Sequence, residues 1–127
     1  MTRIPAAALS LLLLLAGPVL AQAINNPIPG VDIIVEKNPG GGALVVGQTG
    51  RDGWFRGPVR VETGEYQVTA ACPPRRMCRA FRLTTVRVDG RTITPNARGE
   101  FVFPVGSSIG QVRLETNTIL QEVSTTR

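Results

Sequence analysis

Gly53-Trp54-Phe55-Arg56-Gly57-Pro58-Val59 recurs as a pattern in Gly99-Glu100-Phe101-Val102-Phe103-Pro104-Val105. Both stretches read G-x-F-x-x-P-V, and both continue in phase: Gly64-x-Tyr66-x-Val68 is answered by Gly110-x-Val112-x-Leu114. Apolar residues recurring at every second position mark strands with one face buried. A unit of this size holds about four strands, too few to bury a sheet face alone. Two such units packed face to face make a sandwich.

The rest of the chain agrees. Val31, Ile33 and Val35 share one parity, and Asp32 and Glu36 take the other. Asn38-Pro39-Gly40-Gly41-Gly42 is a turn or loop, Ala43 to Thr49 a second strand, and Gly50-Arg51-Asp52-Gly53 another turn. Trp54 to Arg56 reads as a short third strand, and Tyr66, Val68, Ala70 and Cys72 alternate along a fourth. From Arg79 to Asp89 the apolar parity shifts between Phe81/Leu83 and Val86/Val88, which predicts a bulge near Thr84-Thr85. Asp89-Gly90 is a hairpin signal leading into Arg91 to Thr94. Glu100 to Phe103 and Gln111 to Thr116 follow, with an extension through Ile119, Leu120 and Val123. Helical spacing is sustained nowhere. The expected fold is an all-β, Greek-key-type β-sandwich of seven to eight antiparallel strands.

Ahead of this domain stands an export signal. Met1-Thr2-Arg3 is cationic, Ile4 to Leu20 is apolar apart from Ser10, and Ala21-Gln22-Ala23 has the small-x-small form of a cleavage site. The reading is a cleavable signal peptide over residues 1–23 and one domain over 24–127. An uncleaved anchor is the alternative, but the apolar run is marginal for spanning and Pro18 suits a cleavage region. No cysteine follows the cut, which argues against a lipoprotein. The expected location is the periplasm or the medium. Export would let Cys72 and Cys78 pair as a structural staple. Closing so short a loop constrains the unfolded chain by roughly 2 kcal/mol. A redox-active pair is the alternative, though such pairs are usually C-x-x-C at a helix start.

Val35 to Val68 resembles the carboxypeptidase-regulatory-like and transthyretin-like family of β-sandwich modules. The residues that carry the likeness are Thr49, Gly53, Phe55, Val59, Val61, Gly64, Tyr66 and Val68, in the order T-x-x-x-G-x-F, valine strand, G-x-Y-x-V. The resemblance implies a sandwich with Phe55 and Tyr66 in its core, and it implies little about task, because such folds host many functions. Family hydrolases need histidine, and this chain has none. Copper-binding sandwiches share that need. Adhesin modules of the collagen-adhesin B type can form a Lys–Asn isopeptide bond. The lone Lys37 shares the parity of Val35, and Asn117 lies late in the chain, but the family's acid position holds Ala70.

What remains is positive charge. The chain of 127 residues carries a net charge of +5, with thirteen arginines and one lysine. Arg75, Arg76, Arg79 and Arg82 cluster at and after the cysteine loop. Guanidinium groups suit phosphate and carboxylate partners, here an envelope protein, an anionic glycan or a lipid head group. Nucleic acid is not expected, because no aromatic ladder interleaves with the basic run. Trp54, with Phe55 turned inward, is left outward or at a rim, where it can stack on a partner. No paired carboxylates, nucleophile–base set, phosphate-cradling loop or metal-ligand set can be assembled, so neither catalysis nor a cofactor is expected. The expected function is an exported, non-catalytic binding or structural module; the alternative is a subunit of a surface assembly joined by edge-strand addition.

Overall fold

The computed structural model describes residues 26–106 and 110–121, so the expected signal peptide over 1–23 and Val123 lie outside the described residues. All eight elements are strands: β1 (Asp32–Asn38), β2 (Ala43–Gln48), β3 (Trp54–Arg60), β4 (Gly64–Ala71), β5 (Phe81–Val88), β6 (Arg91–Thr92), β7 (Phe101–Val105) and β8 (Gln111–Leu120). They form two four-stranded antiparallel sheets, ordered β2-β1-β4-β7 and β3-β8-β5-β6. This is the sandwich that the alternation predicts.

The sequence repeat has a topological counterpart. In each half the first strand pairs with the second and the fourth, and the third strand crosses to the edge of the other sheet. Thus β3 pairs with β8, with Gly57 opposite Leu114, and β7 pairs with β4, with Phe103 opposite Tyr66. The two halves therefore exchange their G-x-F strands as well as packing face to face. Phe55 and Phe101, equivalent in the repeat, are both buried. Pro58 and Pro104, also equivalent, point outward and are exposed. Both prolines sit in edge strands, the place in a sheet that tolerates a missing amide hydrogen.

That placement corrects the third strand, expected to stop at Arg56. It runs to Arg60, because Phe55, Gly57 and Val59 keep facing the core across Pro58. In the other direction β6 is only two residues long, and β5 begins at Phe81 rather than Arg79. The bulge lies where the parity shift puts it, between Leu83 and Thr85. The hydroxyl of the extra residue, Thr84, donates to the Asn117 carbonyl at 3.1 Å. A second bulge, at Ile33/Ile34 against β2, had no counterpart in the sequence pattern. Asp89 and Gly90 have φ of +51° and +83°, the pair of left-handed residues a tight hairpin needs.

The core joins both inner faces: Ile33, Val35, Tyr66, Val68 and Phe103 from one sheet, Phe55, Val59, Val86, Val112 and Leu114 from the other. Tyr66 stacks on Phe103 with ring centroids 5.8 Å apart, and its hydroxyl accepts the Glu62 amide at 2.9 Å. β8 continues inward-facing past Leu114 with two threonines, Thr116 and Thr118, each fully buried. Their hydroxyls have no partner among the described residues. The expected extension past Thr116 through Ile119 and Leu120 is part of β8. The two inward threonines are polar residues that the apolar pattern does not mark as core.

Candidate functional site: an arginine-rich end and its neighbouring face

The register gathers the sequence candidates at one end of the sandwich. Asp32, the first residue of β1, pairs with Gln48 at the end of β2 and with Ala71 at the end of β4. Phe81, opening β5, pairs with Leu120, closing β8. The cysteine loop, the turn at residues 49–53 and the lead-in before β1 therefore share that end. Cys72 and Cys78 are disulfide-bonded, with Cα atoms 5.9 Å apart.

Several contacts hold this end together. Thr49 is buried, and its hydroxyl donates to the Ile28 carbonyl at 2.7 Å while accepting the Val31 amide at 3.0 Å. Asp32, outward by parity, is nevertheless buried and accepts a bond from Gln48 Nε2 at 2.9 Å. Gly53 has φ +80°, and a Cβ there would lie 2.5 Å from the Thr118 carbonyl oxygen, so only glycine fits the turn. The cysteine loop is pinned by the bond from Arg76 Nη1 to the Gly30 carbonyl at 2.9 Å. Its own turn closes from the Arg76 amide to the Pro73 carbonyl at 3.3 Å.

The four arginines of the sequence cluster are thus not equivalent. Arg76 is tied to the backbone and braces the loop. Arg75, at φ +67°, and Arg79 are exposed on the loop. Arg82 is exposed on β5, opposite Ile119. The turn at the same end adds an exposed Arg51. Between Cys72 and Ala80 there is no acidic residue. An open cleft of about 310 Å³ lies beside the cluster, lined by Val68, Phe81, Arg82, Leu83, Glu100 and Phe101 among others.

Trp54 is half-buried and faces outward from the second sheet, opposite Phe55 in the alternation. Two guanidinium groups lie over its ring, Arg56 at 4.9 Å and Arg87 at 5.2 Å from the centroid. Cation–π contacts of this kind are worth roughly 0.5–1 kcal/mol each at exposed sites. Arg56 also meets Asp52 at 3.4 Å and Glu115 at 3.8 Å, and Arg113 meets Glu115 at 3.9 Å. The Trp54 amide donates to the Asp52 carboxylate at 3.0 Å; this bond, more than the Arg56 charge, holds that carboxyl below its ordinary range.

Arg56, Arg60, Arg87 and Arg113 were not part of the sequence cluster. Each is outward by parity: Arg56 and Arg60 alternate with Phe55 and Val59, Arg87 lies between Val86 and Val88, and Arg113 between Val112 and Leu114. Adjacency was the missing information. Only the order β3-β8-β5 puts these side chains on one face.

The isopeptide pair is not brought together. Lys37 pairs across strands with Tyr66, and its Nζ lies 3.4 Å from Glu62 Oε2. Asn117 pairs with Trp54 and Thr85 toward the opposite end. Among the described residues no group of three or more cysteine, aspartate or glutamate side chains is placed to hold a metal ion, and there is no helix long and apolar enough to cross a membrane. No family model, curated protein or solved structure matches the chain.

Proposed function

We propose that the protein is an exported, non-catalytic binding module that holds an anionic partner against its arginine-rich end. The carrying observation is the convergence of Arg51, Arg75, Arg79 and Arg82 from a turn, a disulfide loop and a strand. Charges drawn from three elements to one end, on a loop already tied by a disulfide and by Arg76, lose little freedom on binding. Arg82 shares β5 with Arg87, whose guanidinium lies over the Trp54 ring beside that of Arg56. Export is supported by the leader at residues 1–23 together with the disulfide. The kinship with carboxypeptidase-regulatory-like and transthyretin-like modules belongs to the same proposal. It is supported by the core positions of Phe55, Val59, Val61, Tyr66 and Val68.

The test is binding to a soluble polyanion, dextran sulfate, across a salt series. The wild-type protein binds with steep salt dependence, and Arg75→Ala/Arg79→Ala/Arg82→Ala weakens binding by roughly tenfold or more. Equal binding by the variant sinks the proposal.

Strand addition is the second reading, and one observation favours it. Three of the four sheet edges are blunted: β3 by Pro58, β7 by Pro104, and β6 by its length of two residues. β2 has neither proline nor charge, and its Leu44 and Val45 are 62% and 51% exposed. Pairing there would tolerate salt and fail on Val45→Pro.

A further inference from the structure

We infer that the anionic partner is a bilayer surface containing acidic phospholipids, docked by the tip of the cysteine loop with Met77 entering the lipid. This rests on the anion-binding reading above and names the partner for it.

Met77 is 99% exposed. Among the described residues the only other large apolar side chains so displayed are Leu44 and Val45, on β2. Leu44 pairs with Val35, away from the arginine-rich end. An exposed thioether at a floppy tip would mean little. This tip is closed by the Cys72–Cys78 bond, carries Pro73 and Pro74, and is fastened to Gly30 through Arg76. The side chain is therefore held out from the body with the conformational cost of presenting it already met.

Its surroundings fit the boundary of a bilayer. Arg75 and Arg79 flank Met77, with Arg51 and Arg82 at the same end. Their long aliphatic stems can lie along apolar surface while the guanidinium groups stay at phosphate level. Each arginine near an acidic membrane strengthens attachment by roughly fivefold. A soluble polyanion can use the arginines equally well, but it offers nothing to an unbranched apolar side chain. A single apolar anchor plus a basic patch gives weak, reversible attachment, not insertion.

The experiment is sedimentation with vesicles of phosphatidylcholine, with and without phosphatidylglycerol, beside dextran sulfate binding, using protein with its disulfide intact. Wild-type protein binds the vesicles containing phosphatidylglycerol and not those of phosphatidylcholine alone. Met77→Ser weakens vesicle binding by roughly tenfold and leaves dextran sulfate binding unchanged. Arg75→Ala/Arg79→Ala weakens both. In a Trp54→Phe background, Met77→Trp shows a blue-shifted emission on adding the acidic vesicles. Met77 is exposed, so these variants leave the core untouched. Dextran sulfate binding without vesicle binding, or vesicle binding indifferent to Met77→Ser, overturns the lipid inference and leaves the anion-binding reading standing. Failure to bind either probe overturns both.

Discussion

The two ends of the sandwich are built on the same strands and differ in almost everything else. One carries the disulfide loop, the turn with Arg51, and Arg82. The other gathers the turns that follow β1, β3, β5 and β7, and with them Glu36, Glu62, Glu65 and Asp89. There Lys37 meets Glu62 at 3.4 Å, and Asp89 Oδ1 accepts the Arg113 amide at 2.7 Å. A disulfide and buried side-chain hydrogen bonds hold the basic end. The acidic end has no covalent tie among the described residues and adds the Tyr66–Phe103 stack and the Tyr66 hydroxyl to these two contacts. The arginine-rich end also holds Asp32, Asp52 and Glu100, and the other end also holds Lys37, Arg60 and Arg91. The ends therefore differ in charge balance, with a cationic surplus at the first and near balance at the second. An excess of arginine over the whole chain says little; a surplus of cations over acids at one braced end is a surface with a direction.

The largest effect is expected at the acidic end. Tyr66→Ala removes the stack on Phe103 and the acceptor for the Glu62 amide, and should cost about 3–5 kcal/mol in urea unfolding. Tyr66→Phe keeps the stack and should cost about 1 kcal/mol. Nearly equal costs for the two would show that the hydroxyl, not the ring, holds this end. Next comes the basic end. Cys72→Ala/Cys78→Ala should lower stability by about 2 kcal/mol. A loss as large as that of Tyr66→Ala would mean that the loop carries the fold and is not an appendage of it.

How far the comparison could be read from sequence depends on which residues are asked. The G-x-F repeat, the bulge at Thr84 and the hairpin at Asp89-Gly90 are local events, and local chemistry foretold them. The strand length of β3 was missed because proline reads as a stop unless the strand is known to be an edge. The strand through Thr116 and on to Leu120 was legible, but the burial of Thr116 and Thr118 was not, because a threonine breaks an apolar pattern. The exchange of third strands, and with it the meeting of Arg87 on β5 with Trp54 on β3, depends on which strands become neighbours. Alternation gives facing; it does not give adjacency.

Two smaller effects sharpen the contrast between the core and the ends. Thr116→Val replaces a buried, partnerless hydroxyl with a methyl of similar size and should raise stability by about 1 kcal/mol in the same unfolding assay. A loss of that size instead would reveal a partner for the hydroxyl, such as an internal water. The smallest effect is at Asp52. Its carboxyl titrates below 3.8 because the Trp54 amide and then Arg56 favour the charged form. The sign follows from the depressed value: the contribution is complete above about pH 5 and disappears as pH falls through the folded-state midpoint. A carboxyl NMR titration with its midpoint at or above 3.8 would show that the turn before Trp54 is not held this way.

The claim that the arginine-rich end, and not total charge, does the binding is tested most directly by matched charge removal at the two ends. Arg75→Ala/Arg79→Ala and Lys37→Gln/Arg91→Ala remove the same charge, and glutamine keeps most of the half-buried Lys37 stem. On an immobilised dextran sulfate column the first variant should elute at much lower salt than wild type, and the second close to it. Equal shifts for the two variants would contradict the account.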